Sequence, residues 1–229
     1  MDKILIETID VKRGFPMGAE TFWALKGLTL KVPENKLTVL RGRSGSGKTT
    51  MMNMLGALDY PTDGDILFEG SSIVNISGKK RDALRGKDMG FVFQSVALAG
   101  MMTAYENVEF ILRITGHSFK GRKERAMACL EKVGLGARMH HMPAELSGGE
   151  QQRVAIARAI AHRPKVIFAD EPTSQLDTNT GLQVVKIFKD LIEEEGTTIV
   201  MTTHDPGLME VADVVYELED GEIVNRNGF

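Results

Sequence analysis

Residues 41–50 read "RGRSGSGKTT", three glycines, two serines and a lysine set between the apolar run "KLTVL" (36–40) and Met51, Met52, Met54 and Leu55. The flanks fit a buried strand followed by a helix, and the glycines stand where one must turn into the other. Glycine there lets the backbone bend tightly and aim several N–H groups at one point. Gly42 to Thr49 matches G-x-x-x-x-G-K-[ST], the spacing of a phosphate cradle. Gly42, Ser44, Gly45, Ser46 and Gly47 bring backbone amides together, and the helix behind them adds its positive dipole end. Lys48 can reach the β- and γ-phosphates, the Thr49 hydroxyl can coordinate Mg²⁺, and Thr50 shares the same first turn.

A phosphate cradle needs a metal ligand and a group to activate water. "KVIFADEP" (165–172) supplies both at the end of an apolar strand of the kind covered on both faces in parallel sheets. Asp170 is suited to hold Mg²⁺ and Glu171 to act as general base, while Pro172 stops the strand. Alone, the two acids would read as the cap of the next helix. "ELSGGEQQRVAIARAI" (145–160) places Ser147 and Glu150 at capping-box spacing around Gly148 and Gly149. This is a second helix N-terminus open to an anion, although S-G-G-E alone means only a well-capped helix.

The rest of the chain reads as an α/β core. Leu28, Leu30 and Val32 alternate with polar residues before a Pro33-Glu34-Asn35 turn, and "DILFEG" (65–70) is a short strand closed by glycine. A mostly helical stretch runs from about 95 to 145, and to about 160 with the helix after Ser147. Thr103 and Glu106 cap its first helix, "GHSFKG" (116–121) breaks it, and Ala126, Leu130 and Val133 face one side of the next, which ends at Gly134. "TTIVMTT" (197–203) is a further strand, and Leu182, Val185, Phe188, Lys189 and Ile192 predict the amphipathic helix before it. "VVYELEDGEIVN" (214–225) predicts a hairpin turning at Asp220-Gly221.

With 229 residues and a formal net charge of −3, the composition gives no sign of a nucleic-acid surface. A single cysteine, Cys129, suits a reducing compartment. Acids in "MDKILIETID" argue against a signal peptide, and no apolar run approaches the roughly 18 residues of a spanning helix. Most of the 13 methionines are expected to fill the core, with Met101 and Met102 as an adaptable surface for a partner helix.

The cradle at 42–49, Gln94 closing "GFVFQ", "LSGGEQQR" (146–153), "VIFADE" (166–171), "SQLD" (174–177) and His204 in "TTHD" stand in the order found in ATP-binding cassette proteins. The chain resembles that family over essentially its whole length. "GALDYPTDGDILFEG" (56–70) and the signature are most similar to the bacterial branch of macrolide-exporter, lipoprotein-releasing, bacitracin-resistance and cell-division cassettes. The resemblance implies a P-loop NTPase core of mainly parallel strands, an N-terminal antiparallel β subdomain and a helical signature subdomain, all one nucleotide-binding domain over 1–229. It implies an ATPase that uses ATP and Mg²⁺. It also implies a head-to-tail dimer in which Ser147, Gly148, Gly149 and Glu150 meet the nucleotide held by the other copy.

In the same terms His204 is the switch histidine at the γ-phosphate, and Gln94 touches Mg²⁺ or the attacking water. Asp177 belongs to the loop linking the two sites, where Gln175 departs from the usual alanine. Phe15 matches the aromatic that stacks on adenine, with Phe22 and Trp23 as alternatives. The implied partner is a separate membrane permease, placing the chain on the cytoplasmic face of the membrane. The cargo would be peptide, lipid-linked or hydrophobic. A cassette that regulates signalling or cell-wall enzymes without moving cargo is the alternative. DNA-repair and translation cassettes would bring a coiled-coil insertion or paired cassettes, and a P-loop kinase or GTPase would leave the signature unexplained.

Overall fold

The structure, a computed structural model, describes residues 3–203 and 206–228. Its larger sheet runs, edge to edge, through Glu222–Asn227 (β11), Val214–Glu219 (β10), Leu37–Arg41 (β4), Thr198–Thr202 (β9), Val166–Asp170 (β8) and Met89–Val92 (β7). All neighbours are parallel except β11, which returns antiparallel to β10. The continuous apolar runs seen in the sequence follow from this arrangement. Along β8, Val166 and Phe168 enter one core while Ile167 and Ala169 enter another, so no position is left for a polar residue until Asp170. The hairpin turns as predicted, with φ of 47° at Asp220 and 81° at Gly221.

A second sheet is antiparallel. Ile4–Met17 (β1) pairs with Glu20–Leu28 (β2) on one side and Asp63–Phe68 (β5) on the other; Lys31–Pro33 (β3) and Ser71–Ser72 (β6) extend it. Between the two sheets lies Lys48–Leu55 (α1), whose Met51, Met52, Met54 and Leu55 pack with Leu5, Ile6, Leu25, Phe168 and Val200. These methionines fill the core as expected, whereas Met101 is 92% exposed.

On the opposite face of the large sheet Gly148–Ile160 (α5) packs against β7 and Thr178–Glu195 (α6) against β9, and Ala104–Ile114 (α3) and Arg122–Lys132 (α4) pack in turn on α5. Thr103 and Glu106 form the predicted capping box, and α4 gives way at Val133 to Gly134 with a φ of 74°. The stripe expected on α6 is displaced. Val184, Ile187, Phe188 and Leu191 are buried, and Leu182 is exposed because the sheet is met by the neighbouring face of the helix. Gly78–Asp88 (α2) and Pro206–Glu210 (α7) complete the described helices, none of which is long and apolar enough to cross a membrane.

Candidate active site

Three loops meet at the C-terminal edge of the parallel strands, where open α/β sheets bind their ligands. β4 leads into the 42–49 loop, β8 ends at Asp170, and its neighbour β9 ends at Thr202, paired with Asp170 in register. Steric demands explain the glycines of the loop. Gly42 has a φ of 149°, and a Cβ there would sit 2.1 Å from the Leu218 carbonyl oxygen. At Gly47, with a φ of 102°, a Cβ would meet the Ala24 oxygen at 2.7 Å. Gly45 differs: its Cβ would meet nothing within 4 Å, so it and the exposed Ser44 face open space. Helix α1 begins behind Gly47 with no side-chain cap and no acid in its first turn, where Thr49 and Thr50 lie. The arrangement favours an anion.

Lys48 is buried and folded back over the loop, its Nζ donating to the carbonyl oxygens of Gly42 (2.7 Å) and Arg43 (2.9 Å). Burial holds its ammonium below the ordinary lysine value, against the pull of Glu171 and Asp170. The Ser46 hydroxyl is buried without a hydrogen-bond partner among the described residues. The Thr49 hydroxyl donates to Asp170 Oδ2 at 3.2 Å, which sets two hard oxygen donors side by side. Among the described residues no three acidic, histidine or cysteine side chains converge. Two adjacent oxygen donors, Thr49 and Asp170, fit Mg²⁺, which takes few protein ligands and completes its shell from phosphate and water.

Thr202, in the sequence one more β-branched residue of an apolar strand, joins the two acids. Its hydroxyl donates to Asp170 Oδ1 at 2.5 Å and accepts the Glu171 N–H at 2.9 Å. Glu171 itself has a φ of 44°, unusual for a non-glycine residue. Its carboxylate meets Gln94, whose Nε2 donates to Glu171 Oε2 at 3.5 Å. Asp170 and Glu171 cap no helix, since α6 begins seven residues later and is capped by Asp177. Lys48, Thr49, Gln94, Asp170 and Glu171 are therefore brought together. His204 lies outside the described residues.

The signature forms a second group. Ser147 Oγ accepts the Glu150 N–H at 3.3 Å and the Glu150 carboxylate accepts the Ser147 N–H at 2.8 Å, a reciprocal cap on α5. That backbone N–H is the main reason the Glu150 carboxyl lies below its ordinary value. Gly148 is exposed, with open space where a side chain would be, and Gly149 abuts Thr180 at the start of α6. Asp177 is joined to this group through Thr180. Among the described residues no hydrogen bond links 147–150 to 42–49.

The aromatic candidates part company. Phe15 is 37% exposed and carries the Arg13 guanidinium 4.6 Å from its ring centre. Trp23 covers Gly14, where a Cβ would lie 3.2 Å from its ring. A cleft of about 520 Å³ between the β1–β2 hairpin and Gly45 is lined by Phe22 and Trp23, and Phe15 is not among its walls.

The family model described as "ABC transporter" matches residues 25–174, from β2 through both acids. The chain belongs to the ABC transporter family. The cassette is therefore an ATPase, with ATP and Mg²⁺ as its cofactors. It is 44% identical to the macrolide export ATP-binding/permease protein MacB of Syntrophobacter fumaroxidans, over 98% of the cassette but only 32% of that protein. The cassette thus spans about a third of that relative's length. It is also 44% identical to the ABC transporter ATP-binding protein MJ1508 of Methanocaldococcus jannaschii, covering 96% of the cassette and 98% of that protein. Among solved structures, the dimeric post-hydrolysis state of the cassette MJ0796 from the same organism, bound to ADP and Pi, superposes with a TM-score of 0.91. Identity there is 37%, with 97% of this chain and 98% of that chain covered.

Proposed function

We propose that the chain acts as one nucleotide-binding domain, the motor subunit of a transporter, and that two copies close head-to-tail around two ATP. Each site then combines the 42–49 cradle of one copy with Ser147, Gly148, Gly149 and Glu150 of the other. The observation that carries this is a second glycine-containing helix start, capped within itself by Ser147 and Glu150 and exposed at Gly148, with no hydrogen bond to the 42–49 cradle among the described residues. The dimeric form of MJ0796 supports it.

In this arrangement Lys48 and the loop amides hold the phosphates, and Thr49, Asp170 and Gln94 would hold Mg²⁺, which would supply positive charge against the phosphate oxygens. Glu171 takes the proton from the attacking water, and His204 contacts the γ-phosphate. Phe15, 37% exposed on the β1–β2 hairpin, stacks on the base. The chain docks on a membrane permease from the cytoplasmic side and drives export of peptide, lipid-linked or hydrophobic cargo. The relative named as an ATP-binding/permease protein supports that coupling and direction.

The test pairs Lys48→Ala with Gly148→Asp. Position 148 is chosen because a side chain there meets nothing within its own subunit, whereas one at 149 would strike Thr180. Each variant alone should trap no nucleotide. In a mixed dimer with sites built across the interface, one site receives both lesions and the other receives none. A trapped γ-phosphate analogue in the purified mixed dimer is therefore expected. A verified mixed dimer that traps nothing would return Ser147 to being a helix cap and nothing more.

A further inference from the structure

Gly149 has no positive φ, so backbone freedom does not explain why glycine stands in the first turn of α5. Space does. A Cβ at 149 would lie 2.3 Å from Thr180 Cγ2, with Thr180 Cβ and Oγ1 at 3.5 and 3.6 Å behind it. Thr180 is not free to turn that methyl away. Its Oγ1 donates to Asp177 Oδ2 at 2.6 Å and its N–H donates to Asp177 Oδ1 at 3.1 Å, which fixes the side chain in one orientation. One turn further along both helices, Arg153 Nη1 of α5 donates to Gln183 Oε1 of α6 at 2.5 Å. The two helix starts are thus joined by two rungs, 149 against 180 and 153 against 183.

We propose that Thr180 is a positioning residue that locks the signature turn at 147–149 to the 174–177 loop, so that the two segments move as one body. The inference rests on the reading above, in which the signature meets a nucleotide held by the other copy. Close-packed contacts transmit displacement rather than absorb it. A shift of Asp177 pulls on the Thr180 hydroxyl, and the Thr180 methyl, seated in the notch that glycine leaves, carries the shift to Ser147 and Gly148. Gly149 then serves its own subunit as well as the ligand.

The test is a rescue in the full chain. Gly149→Ala should lower ATP turnover by about 10²-fold, the order expected when a site is displaced by about an ångström. ATP affinity of the isolated subunit, set by the 42–49 cradle, should not change. Thr180→Ser removes Cγ2 and keeps the hydroxyl for Asp177. Combined with Gly149→Ala it should restore turnover to within about threefold of Thr180→Ser alone, a coupling that independent sites do not show. A double variant no better than Gly149→Ala would overturn the proposal, because the glycine would then be needed only for nucleotide. Gly149→Ala with full turnover would overturn it as well. If Gly149→Ala folds poorly, the same rescue is read in its melting temperature, with the same outcomes. Failure of the mixed dimer to trap nucleotide would remove the head-to-tail reading while leaving the rescue result interpretable.

Discussion

Thr202→Val removes one hydroxyl and keeps the shape of a residue that is fully buried. That hydroxyl makes two bonds, to Asp170 Oδ1 at 2.5 Å and from the Glu171 N–H at 2.9 Å. A hydrogen bond to a charged group contributes about 1.5–3 kcal/mol, and an ordinary one about 0.5–1.5 kcal/mol. Both losses are softened. Asp170 keeps the Thr49 hydroxyl at 3.2 Å, and the Glu171 N–H keeps the Thr202 carbonyl oxygen at 3.2 Å. The valine methyl also adds apolar contact at a fully buried position. We expect a net loss of about 2–3 kcal/mol, read as a lower urea midpoint at unchanged slope.

The catalytic effect should exceed the structural one. Glu171 is held at a φ of 44°, and Thr202 is what fastens both its N–H and the neighbouring Asp170. Release lets Glu171 relax toward commoner backbone angles and moves its carboxylate away from Gln94. A displacement of about an ångström costs turnover on the order of 10²-fold. Steady-state ATPase assays should show kcat falling with KM little altered, because the 42–49 cradle is untouched, and Thr202→Ser should recover most of the loss. A valine variant with normal kcat would refute this reasoning. So would a raised KM at constant kcat, which would assign the hydroxyl to nucleotide binding.

Glu171→Gln should bind MgATP but turn over about 10²–10⁴-fold more slowly, the range for losing a general base; ATP should then hold the dimer together, visible as doubled mass in solution, and near-normal turnover would remove Glu171 from its role. Phe15→Ala should weaken ATP binding by about 1–3 kcal/mol, the usual loss of a base-stacking aromatic, with kcat little changed; if Trp23→Ala loses affinity and Phe15→Ala does not, the base lies in the cleft beside Gly45. Glu106, Glu150 and Asp177 all have carboxyl groups held below their ordinary values, by bonds to Thr103, Ser147 and Thr180 in turn. A lowered folded value means their stabilisation is full above the ordinary carboxylate values, 4.5 for Glu and 3.8 for Asp, and is lost as pH falls through the lowered ones. These three groups should therefore steepen thermal melts below about 4.5, and Glu150→Gln should flatten part of that slope.

What the sequence discloses depends on how many residue types a position tolerates. Gly42 is legible because a Cβ would overlap the Leu218 carbonyl oxygen, and β8 is legible because both its faces are buried. Helix α2 is not. "GKKRDALRGKD" has almost no apolar stripe, and its anchor is Arg81, which donates to the carbonyl oxygens of Asp59, Ile73 and Val74 at 3.0–3.1 Å and lies 3.7 Å from the Tyr60 ring centre. Such a helix is held by its surroundings, which periodicity does not record.

The same distinction runs through the candidate site. Lys48, Asp170 and Glu171 announce themselves by type and spacing, but Thr202 looks like one more β-branched strand residue until the register sets it beside Asp170. Its one outward signal is position, two residues before His204 at the end of an apolar strand. Leu182 errs in the other direction: an apolar residue at helical spacing that the rotation of α6 leaves in solvent. Thr180 is the sharper case, because nothing in "TNTG" (178–181) marks it. It becomes informative only when the glycine at 149 is asked what a methyl group there would strike. A motif glycine therefore carries two kinds of information, the ligand it lets approach and the neighbour it lets pack. At Gly45 the space is open, at Gly42 and Gly47 it is filled by backbone, and at Gly149 it is filled by a side chain that mutation can remove. The last is the one position among them where the two meanings separate experimentally.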